Sequence, residues 1–287
     1  MADVIVIGGA NVDIKAKAIA PNVMRTSNPG IVSTTAGGVG RNIAHNLARL
    51  GAGVSLISVV GQGPHGDMVL ETTSRSGVDV SRVMRSTVST GTYVALLDHD
   101  GELIMALNDM RAVEAIEPPL IDMHAAAIAA ARYVVADCNL PLESLIHIAS
   151  LAGGKLIIEP VSVPKSAKLV EVLKHHRIFL ASPNLDQMEH LAGTRDIGRA
   201  FAFLHRAGLA NAVLHAGSEG AFASTGHDIS HVPAQPAGEI IDVTGAGDAA
   251  VAGLVYGLLK GESLVNAARL GQTQAGKVIA SATSTLE

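Results

Sequence analysis

The 287-residue sequence contains one cysteine, Cys138, and no tryptophan. A single cysteine cannot form a disulfide within the chain, which excludes a disulfide-stabilised secreted scaffold and fits a reducing compartment. No apolar run approaches the roughly 20 residues that a membrane-spanning helix requires. The N-terminus runs directly into the apolar residues 4–7, without the basic segment of a signal peptide. We therefore expect a cytoplasmic protein with no membrane partner.

The sequence also lacks a strong charge of either sign. Its formal net charge is −5, its pI is near 6.2, and it has no basic run interleaved with aromatic residues. Domains that bind nucleic acid usually carry a basic patch, so we expect no nucleic-acid partner. Only 2% of the residues are aromatic, whereas 48% are hydrophobic. Such a composition is typical of an α/β protein whose parallel strands are buried on both faces.

Short apolar runs alternate with helical patterns along most of the chain. The runs predicted as strands are residues 4–8, 54–60, 133–136, 155–158, 178–181 and 211–215. Strands linked by helices at this spacing predict a mainly parallel sheet with right-handed crossovers. Two stretches interrupt the alternation. Residues 14–35 lack a sustained period, and residues 92–107 form a predicted hairpin around an Asp-Gly turn. We expect both to contribute to a small β-lid, built from about 12–36 and 88–110, on a single domain covering 1–287.

Residues 242–253 read Asp-Val-Thr-Gly-Ala-Gly-Asp-Ala-Ala-Val-Ala-Gly. They follow the short apolar run 239–241, which can be a strand, and lead into a helical pattern at 249–259. A helix N-terminus presents N–H groups without partners, which suit an anion such as phosphate. Asp248 would repel that anion, unless it serves as the general base for a hydroxyl that attacks the phosphate. The simpler alternative is that Asp248 only complements the helix dipole.

Two other nucleotide-binding motifs do not account for this stretch. Gly245-x-Gly247-x-x-Ala250 fits a dinucleotide fingerprint, but that motif needs a second strand about 20 residues later, ending in an acidic residue. Here another helical pattern follows from Leu264 instead. The chain also has no Gly-x-x-x-x-Gly-Lys-Ser/Thr sequence, which excludes a P-loop enzyme.

A second glycine-rich turn precedes the predicted helix that begins near Ile43. Gly37 and Gly38 lie in this turn and would let a ligand approach the backbone closely, while Asn42 offers both a donor and an acceptor. Asn11 and Asp13 follow the first predicted strand, at the end where ligands collect in open α/β sheets. Both features also occur in ordinary turns.

Together these two stretches resemble the C-terminal and N-terminal signatures of the ribokinase (pfkB-type) carbohydrate kinase family, and the likeness spans nearly the whole chain. The resemblance implies a ribokinase-like three-layer α/β/α fold with a mainly parallel central sheet, and ATP with Mg²⁺ as cofactors. It also implies that Asp248 is the catalytic base and that Gly245, Ala246 and Gly247 form an anion hole. The sugar-binding residues that it implies are Asn11, Asp13, Gly37, Gly38 and Asn42.

The family resemblance also extends to the nucleotide and metal sites. It implies ATP contacts at Asn184, Gly217, Gly220 and Thr244, and a monovalent cation, K⁺, at Asp242 and Thr244. The family's Asn-x-x-Glu motif, which helps to place magnesium, begins at Asn184 but has Gln187 where Glu is usual. A neutral amide can still hold a metal-bound water, so we assign Gln187 this indirect role.

A narrower likeness points to the bacterial pseudouridine kinases within that family. It is carried by residues 28–30, 36–44, 108–110, 136–139 and 160–162, although Glu159 replaces the usual Asp. The implied reaction is ATP-dependent phosphorylation of the 5′-hydroxyl of pseudouridine, with Asn108 as a further substrate contact. Candidates for reading the base are Lys15, Ser27, Asn108, Met110 and Lys165. The alternatives are a kinase for ribose, adenosine or another nucleoside, or a catalytically impaired binding protein. Relatives of this shape often dimerise through the lid, which we also expect here.

Overall fold

The computed structural model describes residues 2–226, 228–235, 238, 240–281 and 283–286. The strands are β1 Val4–Ile7, β2 Asn11–Ala18, β3 Gly30–Gly37, β4 Val54–Gly61, β5 Val83–Ser86, β6 Gly91–Leu97, β7 Leu103–Asp109, β8 Tyr133–Asp137, β9 Leu156–Glu159, β10 Ile178–Ala181, β11 Leu209–His215, β12 Ala221–Ser224 and β13 Ile229–Val232. The helices are α1 Val39–Arg49, α2 Pro64–Arg75, α3 Arg111–Glu114, α4 Pro118–Asp122, α5 Ala125–Ala130, α6 Leu142–Ala152, α7 Val163–Leu173, α8 Leu185–Ala192, α9 Ile197–Ala207, α10 Ala246–Leu259 and α11 Leu264–Ile279. Within these ranges, no helix has both the length and the apolar character needed to cross a bilayer.

A nine-stranded sheet forms the centre of the molecule, in the order β13-β12-β11-β10-β9-β8-β1-β4-β5. The seven strands β11, β10, β9, β8, β1, β4 and β5 pair in parallel. Strands β12 and β13 add an antiparallel edge beside β11. Successive side chains of a strand point to opposite faces, so Ile5 and Ile7 enter one hydrophobic cluster and Val4 and Val6 the other. The predicted three-layer α/β/α fold with a mainly parallel sheet is thus confirmed.

Helices cover both faces of this sheet. Helices α6, α7 and α9 contribute to the first cluster through Leu145, Leu169 and Leu204. Helices α1 and α10 contribute to the second, and α10 packs along α11. Because α1 and α10 lie on the same face, their N-termini can meet above the same edge of the sheet. This arrangement brings residues 36–44 and 242–253 together.

A second sheet of four strands, in the order β3-β2-β6-β7, contains the segments that the sequence predicts as a lid. Strands β6 and β7 form the predicted hairpin, and the Asp98 carboxylate accepts hydrogen bonds from the backbone N–H groups of Asp100 and Glu102 in its turn. The stretch 14–35 is less irregular than expected, because half of it belongs to β2 and β3. Strand β3 is largely exposed, so it lacks the apolar pattern that would have identified it.

The strand expected immediately before residue 242 is wrong where the structure describes it. Ile240 and Ile241 have no regular secondary structure, and their side chains are mostly exposed. Glu239, the first residue of that predicted strand, lies outside the described residues. The segment is instead attached to the end of α11, because the Ile241 N–H donates to the Ile279 carbonyl at 2.8 Å. The glycine-rich turn therefore enters α10 from a loop.

Candidate active site

The N-terminus of α10 presents backbone donors that have no partner among the described residues. Gly245 is the N-cap residue at φ +81°, and no described side chain caps this helix. The N–H groups of Gly247 and Asp248 donate to no residue in the described part of the chain. Free amides at the positive end of a helix dipole can bind a phosphoryl oxygen. The site therefore has the geometry expected of an anion hole.

Asp248 lies in the first turn of α10 and faces α1. Its Oδ2 accepts a hydrogen bond of 2.8 Å from the Asn42 side-chain amide. Burial raises the pKa of Asp248 to about 7, and the charges of Asp137 and Asp13 add to the rise, whereas Asn42 and Arg41 oppose it. A carboxylate with a pKa near neutrality can accept a proton from a hydroxyl more readily than an ordinary Asp.

The predicted sugar-side residues meet where β2 begins and α1 starts. The Asn11 amide donates to Asp13 Oδ1 at 2.6 Å. A Cβ atom on Gly37 would lie 2.2 Å from Asp13 Oδ2, and one on Gly38, at φ +101°, would lie 2.4 Å from the Gly9 carbonyl oxygen. Only glycine fits at position 38, whereas a side chain at position 37 would displace the Asp13 carboxylate. The structure thus brings Asn11, Asp13, Gly37 and Gly38 together, with Asn42 one turn further along α1.

Asn108 lies in the same row of the second sheet as Asp13. The register pairs Thr35 with Asp13, Asp13 with Tyr93, and Tyr93 with Asn108 across the four strands. Side chains in one cross-strand row lie on one face of the sheet. Asn108 is exposed, two strands away from Asp13. Tyr93 lies on the strand between them and shares the same row.

Asp137, at the end of β8, connects the backbone after β1 with the first turn of α1. Its carboxylate accepts backbone hydrogen bonds from Gly9, Gly40 and Asn139 at 2.8, 2.8 and 2.9 Å. The side chain is fully buried, and burial raises its pKa although these N–H donors oppose the rise. Since its hydrogen bonds go to the backbone around α1, Asp137 holds the sugar-side turn in place.

Arg41 is a buried cation that sequence reasoning missed. Its guanidinium donates to the Ala36 carbonyl oxygen, to Thr73 Oγ1 and to Asn42 Oδ1. By binding the carbonyl side of the Asn42 amide, Arg41 turns the NH₂ group of Asn42 toward Asp248. Burial lowers the pKa of Arg41 to about 10, while Asp13 and Asp248 oppose the fall. Arg41 therefore remains charged at neutral pH and offsets the two carboxylates.

The predicted nucleotide-side residues lie beyond the ends of β10 and β11. Asn184 caps α8 through a reciprocal pair of hydrogen bonds with Gln187, each 2.9 Å long. Asn184 also pairs with His215 at the end of β11, two residues before Gly217. Gly220 closes this turn at φ +91°, where a Cβ atom would lie 2.2 Å from the Val232 carbonyl oxygen. The structure thus places Asn184, Gly217 and Gly220 on neighbouring strand ends.

On the nucleotide side, the structure has a carboxylate at Glu159 and an amide at Gln187, where the family motif has Glu. The side-chain oxygen Oε1 of Gln187 already accepts a hydrogen bond from the backbone N–H of Asn184. This hydrogen bond competes with the predicted contact to a magnesium-bound water. Glu159, at the end of β9, is buried and accepts one hydrogen bond, from the Val161 N–H to Oε1 at 3.1 Å. Burial raises the pKa of Glu159 well above its usual value, and repulsion from Asp248 adds to the rise. Val161 has φ +69°, an unusual value for a β-branched residue and one often found at functional sites.

Asp242 and Thr244 lie in the loop before the anion hole, where the sequence predicts a monovalent cation. Asp242 Oδ1 accepts the Thr244 N–H at 2.8 Å. Asp242 Oδ2 accepts the Lys15 ammonium group at 2.5 Å. Both carboxylate oxygens thus have a protein donor.

A cavity of about 580 Å³ opens beside Asp13 and Lys15. It extends between β3, α1, α2 and residues 283–286, and Thr244 lies on its wall. This volume lies within the range of small-molecule binding sites. Asp13 and Thr244 are the predicted site residues on its wall, whereas Asn42, Gly245–Gly247 and Asp248 do not line it.

Comparison with known proteins agrees with this geometry. The chain is 37% identical to an uncharacterized sugar kinase of Escherichia coli, YeiI, over 92% of its length and 75% of that protein. It is 36% identical to the E. coli pseudouridine kinase over 94% of its length and 88% of that protein. The structure of Arabidopsis thaliana ribokinase complexed with ribose and ATP superposes with a TM-score of 0.87, covering 98% of this chain and 94% of that one at 23% identity. The ribokinase-like fold is thereby confirmed.

The family assignment covers practically the entire chain. Residues 1–286 match the description "pfkB family carbohydrate kinase". Members of this family transfer a phosphoryl group to a sugar or nucleoside, and a carboxylate beside a helix N-terminus is an arrangement that suits this reaction. The chain belongs to the pfkB family of carbohydrate kinases.

Proposed function

We propose that this kinase phosphorylates the 5′-hydroxyl of pseudouridine with ATP, yielding pseudouridine 5′-phosphate and ADP. The supporting observation is the 36% identity to the E. coli pseudouridine kinase over nearly the full length of both chains. A second relative, the pseudouridine kinase of Arabidopsis thaliana, is 29% identical over 66% of this chain. The cavity of about 580 Å³ beside Asp13 suits an acceptor of nucleoside size.

In the proposed mechanism, the ribosyl hydroxyls bind Asn11, Asp13, Asn42 and the backbone at Gly37 and Gly38. Asp248 accepts the proton of the 5′-hydroxyl as its oxygen attacks the γ-phosphorus of ATP. The bond from that phosphorus to the β,γ-bridging oxygen breaks, and ADP leaves with the bonding electron pair. The free N–H groups at the start of α10 stabilise the charge on the transferred phosphoryl oxygens. Asn184, Gly217, Gly220 and Thr244 contact ATP on the other side.

Magnesium fits this site if Glu159 supplies the carboxylate. The metal prefers hard oxygen ligands, and the oxygens of Asp137 are occupied by backbone N–H groups. Glu159 accepts only one hydrogen bond from the described residues, so its Oε2 is available. When bound, the metal would neutralise charge on the ATP phosphates. We propose that Glu159 takes over the role that Gln187, which lacks a charge, cannot fill.

Removing this carboxylate tests the assignment directly. Glu159→Gln is expected to weaken Mn²⁺ binding to the enzyme–ATP complex by about tenfold or more, as changes around a metal site usually do. The fold should persist, because an amide of the same shape replaces a buried acid. Binding can be followed by the electron paramagnetic resonance signal of free Mn²⁺. Glu189→Gln removes an exposed carboxylate of α8 that pairs with Arg195 and should leave Mn²⁺ binding unchanged. Unaltered binding in Glu159→Gln would contradict the assignment.

The substrate is tested by a screen that follows ADP release with pseudouridine, uridine, ribose and adenosine. We expect the highest kcat/KM with pseudouridine. Robust activity on free ribose without activity on pseudouridine would overturn the choice of substrate and leave the kinase assignment intact. Another sugar or nucleoside is the second candidate, because the uncharacterized sugar kinase YeiI is as similar to this chain as the pseudouridine kinase is.

We also propose a homodimer through the outer face of the second sheet, opposite Asp13. Val32, Leu96, Met105 and Leu107 share this face by register and are 66%, 38%, 48% and 64% exposed. Exposed apolar groups at this density favour association. Sedimentation velocity is expected to show a dimer, and Leu107→Asp should shift it to a monomer. A monomeric wild-type protein at micromolar concentration would contradict the proposal.

A further inference from the structure

An ion pair joins the second sheet to the loop before the anion hole. Lys15 Nζ lies 2.5 Å from Asp242 Oδ2, and the two residues are 227 positions apart in the chain. Both side chains are about two-thirds buried. Lys15 lies on β2, on the same face as Asp13 and two residues beyond it. The contact therefore connects the strand that carries a substrate-binding residue with the loop that leads into Gly245.

Asp242 organises that loop through its other oxygen. Oδ1 accepts the Thr244 N–H, which closes a turn immediately before the N-cap of α10. The loop is otherwise irregular, its side chains at Ile240, Ile241 and Val243 are mostly exposed, and its backbone is held by hydrogen bonds to the Ile279 carbonyl oxygen. A charge beside Asp242 thus has a direct influence on where the anion-hole amides lie.

A monovalent metal ion at Asp242 would meet the Lys15 ammonium group. The two cations carry the same single charge and are of similar size, so they compete for the same carboxylate oxygen. Charge-assisted hydrogen bonds to a carboxylate are among the stronger ones. An ammonium group on a strand is also present at all times, whereas a dissolved ion must be bound from solution.

We propose that Lys15 is a positioning residue whose ammonium group replaces a bound monovalent cation at Asp242, so that phosphoryl transfer by this enzyme needs no K⁺. The ion pair also couples the second sheet to the anion hole. The inference rests on the kinase activity of the family and is independent of which acceptor is the substrate.

The test compares rates in K⁺ and in tetramethylammonium at constant ionic strength, with Mg²⁺ and ATP, for the best acceptor of the substrate screen. Wild-type kcat is expected to differ less than about twofold between the two salts, because the ammonium group is already in place. Lys15→Ala should lose about tenfold or more in kcat in tetramethylammonium, by displacement of anion-hole donors. Added K⁺ should restore much of this loss in a saturable manner, since the vacated carboxylate can then bind the ion.

A matched control is Lys17→Ala, which removes an exposed lysine from the same face of β2. It should behave as wild type in both salts. A second readout needs no substrate: K⁺ should raise the melting temperature of Lys15→Ala more than that of wild type. Saturable activation of the wild-type enzyme by K⁺ would overturn the proposal, as would a Lys15→Ala variant with wild-type rates in both salts. A lack of turnover with every acceptor would contradict the kinase function instead, while the melting-temperature comparison would still decide whether K⁺ replaces Lys15.

Discussion

Asp248→Asn is expected to lower kcat by about 10³- to 10⁴-fold while leaving acceptor and ATP affinity within about threefold of wild type, because the variant lacks a general base but keeps its shape. An amide oxygen at position 248 can still accept the hydrogen bond that Asn42 donates at 2.8 Å. The side chain is partly buried against α1, so its replacement by an amide should not disturb the start of α10. The measurements are initial rates of ADP release and calorimetric titration of the acceptor.

Asp186→Asn is a suitable control for this variant. Asp186 also lies in the first turn of a helix, α8, and is exposed. If the role of Asp248 were only to complement a helix dipole, both variants would lose a few tenths of a kcal/mol of stability and little activity. Turnover by Asp248→Asn within about tenfold of wild type would therefore exclude it as the base.

The pH dependence of kcat/KM tests the role of Asp248 without a substitution. Asp248 must be ionised to accept a proton, and its pKa is raised to about 7 by burial and by the charges of Asp137 and Asp13, with Arg41 and Asn42 opposing. Below that pKa the ionised fraction falls about tenfold per pH unit, so log(kcat/KM) should rise with a slope near one and level off above about pH 7. An Asp with an ordinary pKa near 4 would give a flat profile from about pH 5.5 to 8.5, and such a profile would contradict the raised value.

The central sheet could be predicted from the sequence because its strands are buried on both faces. Continuous apolar runs such as Val4–Ile7 identify such strands without any knowledge of their partners. The second sheet was harder to predict, because β3 is exposed along most of its length and has no burial pattern. Ile240 and Ile241 show the opposite error. Their apolar side chains suggested a strand, but they are exposed in an irregular loop.

For the candidate site, the residues that the sequence predicts belong to short local motifs. Gly245 to Asp248 and Gly37 to Asn42 belong to such motifs, and the structure brings the two together at the Asn42–Asp248 hydrogen bond. The residues that were missed or given another role work through contacts between distant segments. Arg41 joins α1 to Thr73 of α2, Asp137 joins β8 to the backbone around α1, and Lys15, a candidate for reading the base, binds Asp242. No spacing rule reveals contacts of that kind.

Gly245→Ala is expected to produce the second large effect, with a loss of about 100-fold or more in kcat through displacement of the anion-hole donors. Gly245 has φ +81°, and a Cβ atom there would lie 2.0 Å from the Ser284 carbonyl oxygen. That oxygen cannot retreat easily, because residues 283–286 are held against α1. The Leu286 N–H donates to Asn46 Oδ1 at 2.8 Å, and its carbonyl oxygen lies 3.0 Å from His45 Nε2. The turn must therefore move, and the amides of Gly247 and Asp248 move with it.

Gly51→Ala separates this collision from the strain of a positive φ. Gly51 has φ +89° after the end of α1, and a Cβ atom there would meet nothing within 4 Å. This variant should lose about 1 kcal/mol of stability from backbone strain alone and keep its activity. Gly245→Ala adds the contact with Ser284, so its melting temperature should fall by about 5 °C more, in line with a further ~2 kcal/mol. Equal melting temperatures for the two variants, together with near-normal turnover by Gly245→Ala, would mean that residues 283–286 shift to accommodate the added methyl group. The anion hole would then not depend on the rigid support that Ser284, Asn46 and His45 provide.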